Sequence, residues 1–153
     1  MRILSLGATL AFIIVGAAVA TAASPQMGTW KLNEAKSKNV GMAKNSLVVY
    51  AEAGDSIKVS IDGVDSAGAS YHSDWTGKFD GKDYPVTGDA QSDARSYKVV
   101  DANTLSFETK KGGKVMLSGK VVVSADGKSR TVTASGMNAK GEKTTQMAVY
   151  DKQ

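Results

Sequence analysis

The sequence predicts an all-β fold: a single antiparallel up-and-down meander of about eight to ten strands closed into a barrel. Three observations lead there. Apolar and polar residues alternate with period two in one segment after another. Turn-forming Gly, Asp and Asn recur roughly every 8–12 residues between those segments. The connections are short, and a parallel crossover needs about a dozen residues or more, so sequential neighbours must pair antiparallel. A long meander leaves two exposed edges unless it closes on itself, which favours the barrel. A two-sheet β-sandwich is the alternative that shares the same local pattern.

The elements follow in order. Gly28–Asn33 reads as a short first strand, and residues 34–45 as a loop with one helical turn, since their periodicity is weak and Gly41 interrupts them. Leu47–Glu52 alternates, Ala53-Gly54-Asp55 turns, and Ser56–Asp62 puts Ile57, Val59 and Ile61 on one face. Ser70–Phe79 carries Tyr71, Ser73, Trp75, Gly77 and Phe79 on one face, with His72, Asp74 and Lys78 on the other. Asp80-Gly81-Lys82 is a hairpin signal. It leads into Tyr84–Thr87, where Pro85 marks an edge or an irregular piece. Arg95–Val100 and Thr104–Lys110 flank a turn at 101–103, and Gly112-Gly113 opens a long strand from Lys114 to Ser124. Asp126-Gly127 turns into Ser129–Ser135, and Asn138–Gly141 turns into Glu142–Asp151.

The first 22 residues have a different composition from the rest. Arg2 gives a short positive start, an apolar stretch runs from Ile3 to Val15, and Ala20-Thr21-Ala22 is an A-x-A-like cleavage site. That is the anatomy of a secretory signal peptide, so residues 1–22 are expected to be cleaved, leaving a domain over 23–153. The protein is then periplasmic or secreted, with no stable membrane insertion after cleavage. Losing Arg2 lowers the formal charge from +4 to +3.

Composition excludes several chemistries. Without Cys there is no disulfide framework, thiolate zinc site, iron–sulfur cluster or thiol nucleophile. A single His removes multi-His metal sites and leaves a catalytic triad improbable. No G-x-S-x-G, H-E-x-x-H or Walker loop occurs, so no catalytic residues and no enzyme activity are expected. Asp62-Gly63-Val64-Asp65 and Asp80-Gly81-Lys82-Asp83 depart from calcium-loop spacing and read as turns, so neither metal nor cofactor is expected. Lys110, Lys111 and Lys114 bracket one hairpin tip without interleaved aromatics, which argues against nucleic acid as a partner.

Gly28-Thr29-Trp30-Lys31-Leu32 resembles the G-x-W opening of the calycins, the lipocalins and fatty-acid-binding proteins. Val149-Tyr150-Asp151-Lys152 is similar to the closing strand of the fatty-acid-binding branch. Gly28–Asn33, Ala35-Lys36-Ser37, Asp80–Gly88 and Lys110–Val115 also resemble small exported bacterial lipocalin-like proteins. The resemblance implies that Gly28 and Trp30 plug the closed end of the barrel. Two departures limit what carries over. Residues 34–45 are too few for a helix–turn–helix lid, and Ala148 stands where that branch has the Arg of its Arg-x-Tyr pair.

Tyr71, Trp75, Tyr97, Phe107 and Tyr150 are the candidate ligand-binding residues, as aromatic positions on alternating strands. The function expected is binding or carriage of a small, mainly apolar ligand in the barrel interior. A solid-core structural or interaction module of the cell envelope is the alternative, because a barrel of this size can be filled by side chains or hold one small ligand.

Overall fold

The computed structural model describes residues 23–38, 43–137 and 140–153. The segment expected to be a signal peptide lies outside them, as do positions 138 and 139 of the last predicted turn. Ten strands follow one another: β1 (Gly28–Lys38), β2 (Lys44–Ala53), β3 (Ser56–Val64), β4 (Ser70–Gly77), β5 (Tyr84–Thr87), β6 (Ala94–Asp101), β7 (Thr104–Lys111), β8 (Lys114–Val123), β9 (Ser129–Met137) and β10 (Lys143–Lys152). Each pairs antiparallel with its sequence neighbours, and β1 pairs with β10, so the meander closes into a barrel. A sandwich would need two separate sheets, and the unbroken circuit of pairing rules it out.

Within the expected loop 34–45, residues 39–42 with Gly41 lie outside the described residues, and the flanking ones depart from expectation. Residues 34–38 continue β1, and β2 already begins at Lys44. The weak periodicity has a physical cause: the β1–β10 register shifts between Asn33 and Lys38. A bulge of this kind inserts residues into the strand and puts later side chains out of phase. Ser37 repairs the ladder there. Its hydroxyl donates to the Asn33 carbonyl (2.7 Å) and accepts from the Val149 N–H (2.9 Å).

The Pro85 strand is irregular rather than an edge. β5 is four residues long and joins its neighbours through two residue pairs on each side, Pro85 opposite Ala94 among them. β4 also stops at Gly77, so Phe79 has left the ladder, although its ring stacks on Trp75 with centroids 6.4 Å apart.

Strand direction defines two ends. The loops after β2, β4, β6 and β8 gather at one, together with residues 23–27, and this end is packed. Trp30 is fully buried there and donates its indole N–H to the Gln26 carbonyl (2.8 Å). Gln26, itself 1% exposed, donates to the Asn103 carbonyl (3.2 Å), tying the N-terminal segment across the barrel end. Gly28 holds φ of 111°, a conformation side chains rarely adopt, and the Lys152 side chain runs past it to place its ammonium 5.2 Å from the Trp30 ring.

Candidate functional site

Above this packed layer the interior is hollow. A cavity of about 720 Å³ opens toward the opposite end, where β1, β3, β5, β7 and β9 finish. That volume lies in the range of small-molecule sites, about 300–1,000 Å³. Its wall is mainly apolar: Val48, Ile61, Leu117, Val121, Val132 and Ala148 all face it. Period-two alternation puts them there, since these strands turn every second residue inward.

Four of the five candidate aromatics line the cavity: Tyr71, Tyr97, Phe107 and Tyr150. Tyr71 and Tyr150 are braced by the same residue. The Tyr71 hydroxyl donates to the Asn45 side-chain oxygen, and the Tyr150 hydroxyl to the Asn45 carbonyl at 3.1 Å. Gly63 makes room for this arrangement, because a Cβ at that position would lie 2.3 Å from the Lys44 carbonyl and 2.8 Å from the Tyr71 ring. Tyr97 and Phe107 pair across β6 and β7 with ring centroids 6.2 Å apart.

Trp75 is not part of the cavity wall. It is 1% exposed and packs edge-on against Tyr97 (4.9 Å) and Tyr84 (5.7 Å), while its indole N–H donates to the Arg95 carbonyl (2.8 Å). That bond spans from β4 to β6 past the short β5, so Trp75 fastens the weakest part of the wall. The small inward residues contribute less space than their size suggests. A Cβ on Gly77 would lie 2.5 Å from the Tyr84 ring, so the volume there is already filled. Of Ser73, Gly77, Gly119 and Ala134, only Ala134 lines the cavity.

Among the polar wall residues that sequence reasoning missed are Tyr50, Arg95 and Arg130. Arg130 is 2% exposed, and its guanidinium carbon sits 5.0 Å from the Trp30 ring centre and 4.9 Å from those of Tyr50 and Tyr150. Its backbone lies directly opposite Tyr150 in the β9–β10 ladder. Arg95, also buried, approaches Asp89 at 3.8 Å. Burial pushes the Tyr150 phenol up to about 12 even though Arg130 opposes the shift. Tyr50 is raised further by burial and by Tyr97, again against Arg130. Both therefore remain neutral phenols at neutral pH.

His72 stands on the outer surface. Its Nδ1 is 2.6 Å from Asp62 and its Nε2 3.2 Å from Asp74. Among the described residues, no group of three or more His, Cys, Asp or Glu side chains is placed to hold a metal ion. The predicted Asp80 loop is a turn whose carboxylate accepts from the Lys82 N–H (3.0 Å) and the Tyr84 hydroxyl (2.8 Å).

No known family's sequence model matches the chain. No curated protein is similar to it in sequence. Among solved structures, the chain is similar to the structure of EF1p2_mFAP2b bound to DFHBI, with a TM-score of 0.48 and 10% identity over 84% of this chain and 94% of that one.

Proposed function

We propose that the protein binds or carries a small, mainly apolar molecule inside its barrel and performs no chemistry on it. The observation that supports this is the hollow interior: a solid-core module would have packed side chains where a cavity of about 720 Å³ stands, walled by aliphatic and aromatic residues. Interiors are ordinarily close-packed, and an unfilled apolar volume forgoes the dispersion contacts of its lining. A ligand would restore them. Export to the periplasm or medium fits the apolar segment, small-residue site and Arg2 of residues 1–22.

Native mass spectrometry of protein purified from its own host tests the proposal. A co-purifying mass that is released on denaturation, or saturable uptake of a neutral apolar fluorophore such as N-phenyl-1-naphthylamine, is the expected result. A clean apo mass together with no fluorophore uptake would refute it.

A further inference from the structure

Two of the large apolar side chains left exposed on the barrel are methionines, and both stand at the mouth. Met116 is 39% exposed and Met137 64%, and both line the cavity. Met27 packs against the core and Met147 is half-buried, and neither lines the cavity.

The fold brings the first two together. Leu117 lies opposite Gly136 in the β8–β9 ladder, so the next residues toward the mouth, Met116 and Met137, are neighbours across the two strands. Met116 is also the extra residue of a bulge, because Thr109 faces Leu117 while Lys110 faces Val115. A bulge re-aims the side chain it carries, and here Met116 joins Leu117 on the cavity wall. Gly136 accommodates the bulge, since a Cβ there would lie 2.7 Å from the Met116 carbonyl.

An aliphatic residue would extend the apolar wall equally well. A thioether adds two properties. Its flexible, polarisable chain adapts to molecules of different shape, and its sulfur takes oxygen from a peroxide. With no cysteine in the chain, no thiol competes for a two-electron oxidant.

We propose that Met116 and Met137 form an oxidation-sensitive rim: a peroxide-class oxidant converts their thioethers to sulfoxides and weakens ligand uptake, and a dithiol-dependent sulfoxide reductase restores it. This rests on the carrier reading above and adds regulation to the same site. In the forward step a sulfur lone pair attacks one peroxide oxygen, and an S–O bond forms as the O–O bond breaks. The departing hydroxide takes the proton of the transferred OH and leaves as water, so sulfur is oxidised by two electrons and the peroxide reduced. In the reverse step the dithiol becomes a disulfide and the sulfoxide oxygen leaves as water. The sulfoxide is a polar group where the wall was apolar. A bound apolar molecule then either strips water from its oxygen or is left uncovered at that end, and both cost affinity.

Graded hydrogen peroxide treatment, peptide mapping by mass spectrometry and titration with N-phenyl-1-naphthylamine provide the test. Met116 and Met137 should gain oxygen before Met27 and Met147, and fluorophore affinity should fall about fivefold or more in step with them. The pair of reductases that act on the two sulfoxide epimers, supplied with dithiothreitol, should restore it. In the double variant Met116→Leu/Met137→Leu the same treatment should leave affinity within about twofold of that variant's own untreated sample. That comparison removes whatever the substitutions do to uptake itself. Should the variant not fold, the oxidation and reversal arms on the unaltered protein still decide. Affinity unmoved while both rim methionines are oxidised, or lost without recovery once both are reduced, would overturn the inference and leave the carrier reading intact. An equal fall in the double variant would overturn its placement at these two residues. No fluorophore uptake before oxidation would overturn the carrier reading, and this inference with it.

Discussion

His72 is the single histidine of the chain, and its environment makes it a reporter. The hydrogen bond to Asp62, and next the one to Asp74, raise its pKa above the ordinary 6.5. Because the native value exceeds the unfolded one, the folded state holds the proton more tightly. The resulting stabilisation is fully present below about pH 6.5 and disappears as pH rises through the raised native value. The ring is exposed, so solvent screening keeps the contribution small. The imidazole resonances of this one residue, followed by NMR against pH, should titrate above 6.5. Asp62→Asn should bring the midpoint down; a midpoint unmoved by that change would show that the pair does not persist in solution. At this scale the sequence was partly legible. Alternation placed His72 and Asp74 on one outer face. The same rule also puts Arg130 in phase with Val132 and Ala134, and Arg95 in phase with Tyr97. A basic residue in step with an apolar face was the available signal for the cavity floor. The signal is faint because most of the described lysines sit at exposed positions.

At the scale of elements, strands bounded by Gly and Asp turns were legible because period two and short loops leave little choice. One was not. The second half of β1 hides behind its bulge, where Ser37 stands in for backbone pairing and alternation fails locally. β5 was legible as the strand Tyr84–Thr87, and what the sequence leaves open is its place in the wall, which depends on contacts distant in sequence, above all the Trp75–Arg95 bond. The same features set its dynamics. Strands with few ladder bonds open at lower free energy than those with long ladders. β9 and β10 pair through nine residue pairs, against two for each side of β5. Hydrogen exchange should therefore reach the Tyr84, Val86 and Thr87 amides well before those at the centre of β9 and β10. Trp75→Phe, which deletes the indole donor to the Arg95 carbonyl, should speed that exchange further. Protection at β5 equal to that of β9 would show that the seam is held by something other than these contacts.

Across the whole molecule, closure removes every sheet edge, and in a chain without disulfides it lets ladder bonds and packing carry the stability. The packed end concentrates that stability: Trp30, Val59 and Trp75 are almost wholly buried, and burying each large apolar side chain contributes on the order of 1.5–3 kcal/mol. The mouth half surrenders packing to keep its cavity. Filling the cavity should therefore cost binding without costing the fold. Ala148 suits this purpose, since its methyl faces the cavity from the middle of β10 between Gln146 and Tyr150. Large-to-small changes destabilise by opening voids, and the reverse change into an existing void is tolerated where the added ring meets space rather than side chains. Ala148→Phe should keep the melting temperature within a few degrees of the parent, or raise it, while N-phenyl-1-naphthylamine uptake falls by about tenfold or more. Differential scanning fluorimetry and the fluorophore titration read the two effects separately. A variant that melts much earlier would mean that the wall at Ala148 is already filled. One that still binds the fluorophore at parental strength would place the bound molecule outside the barrel interior.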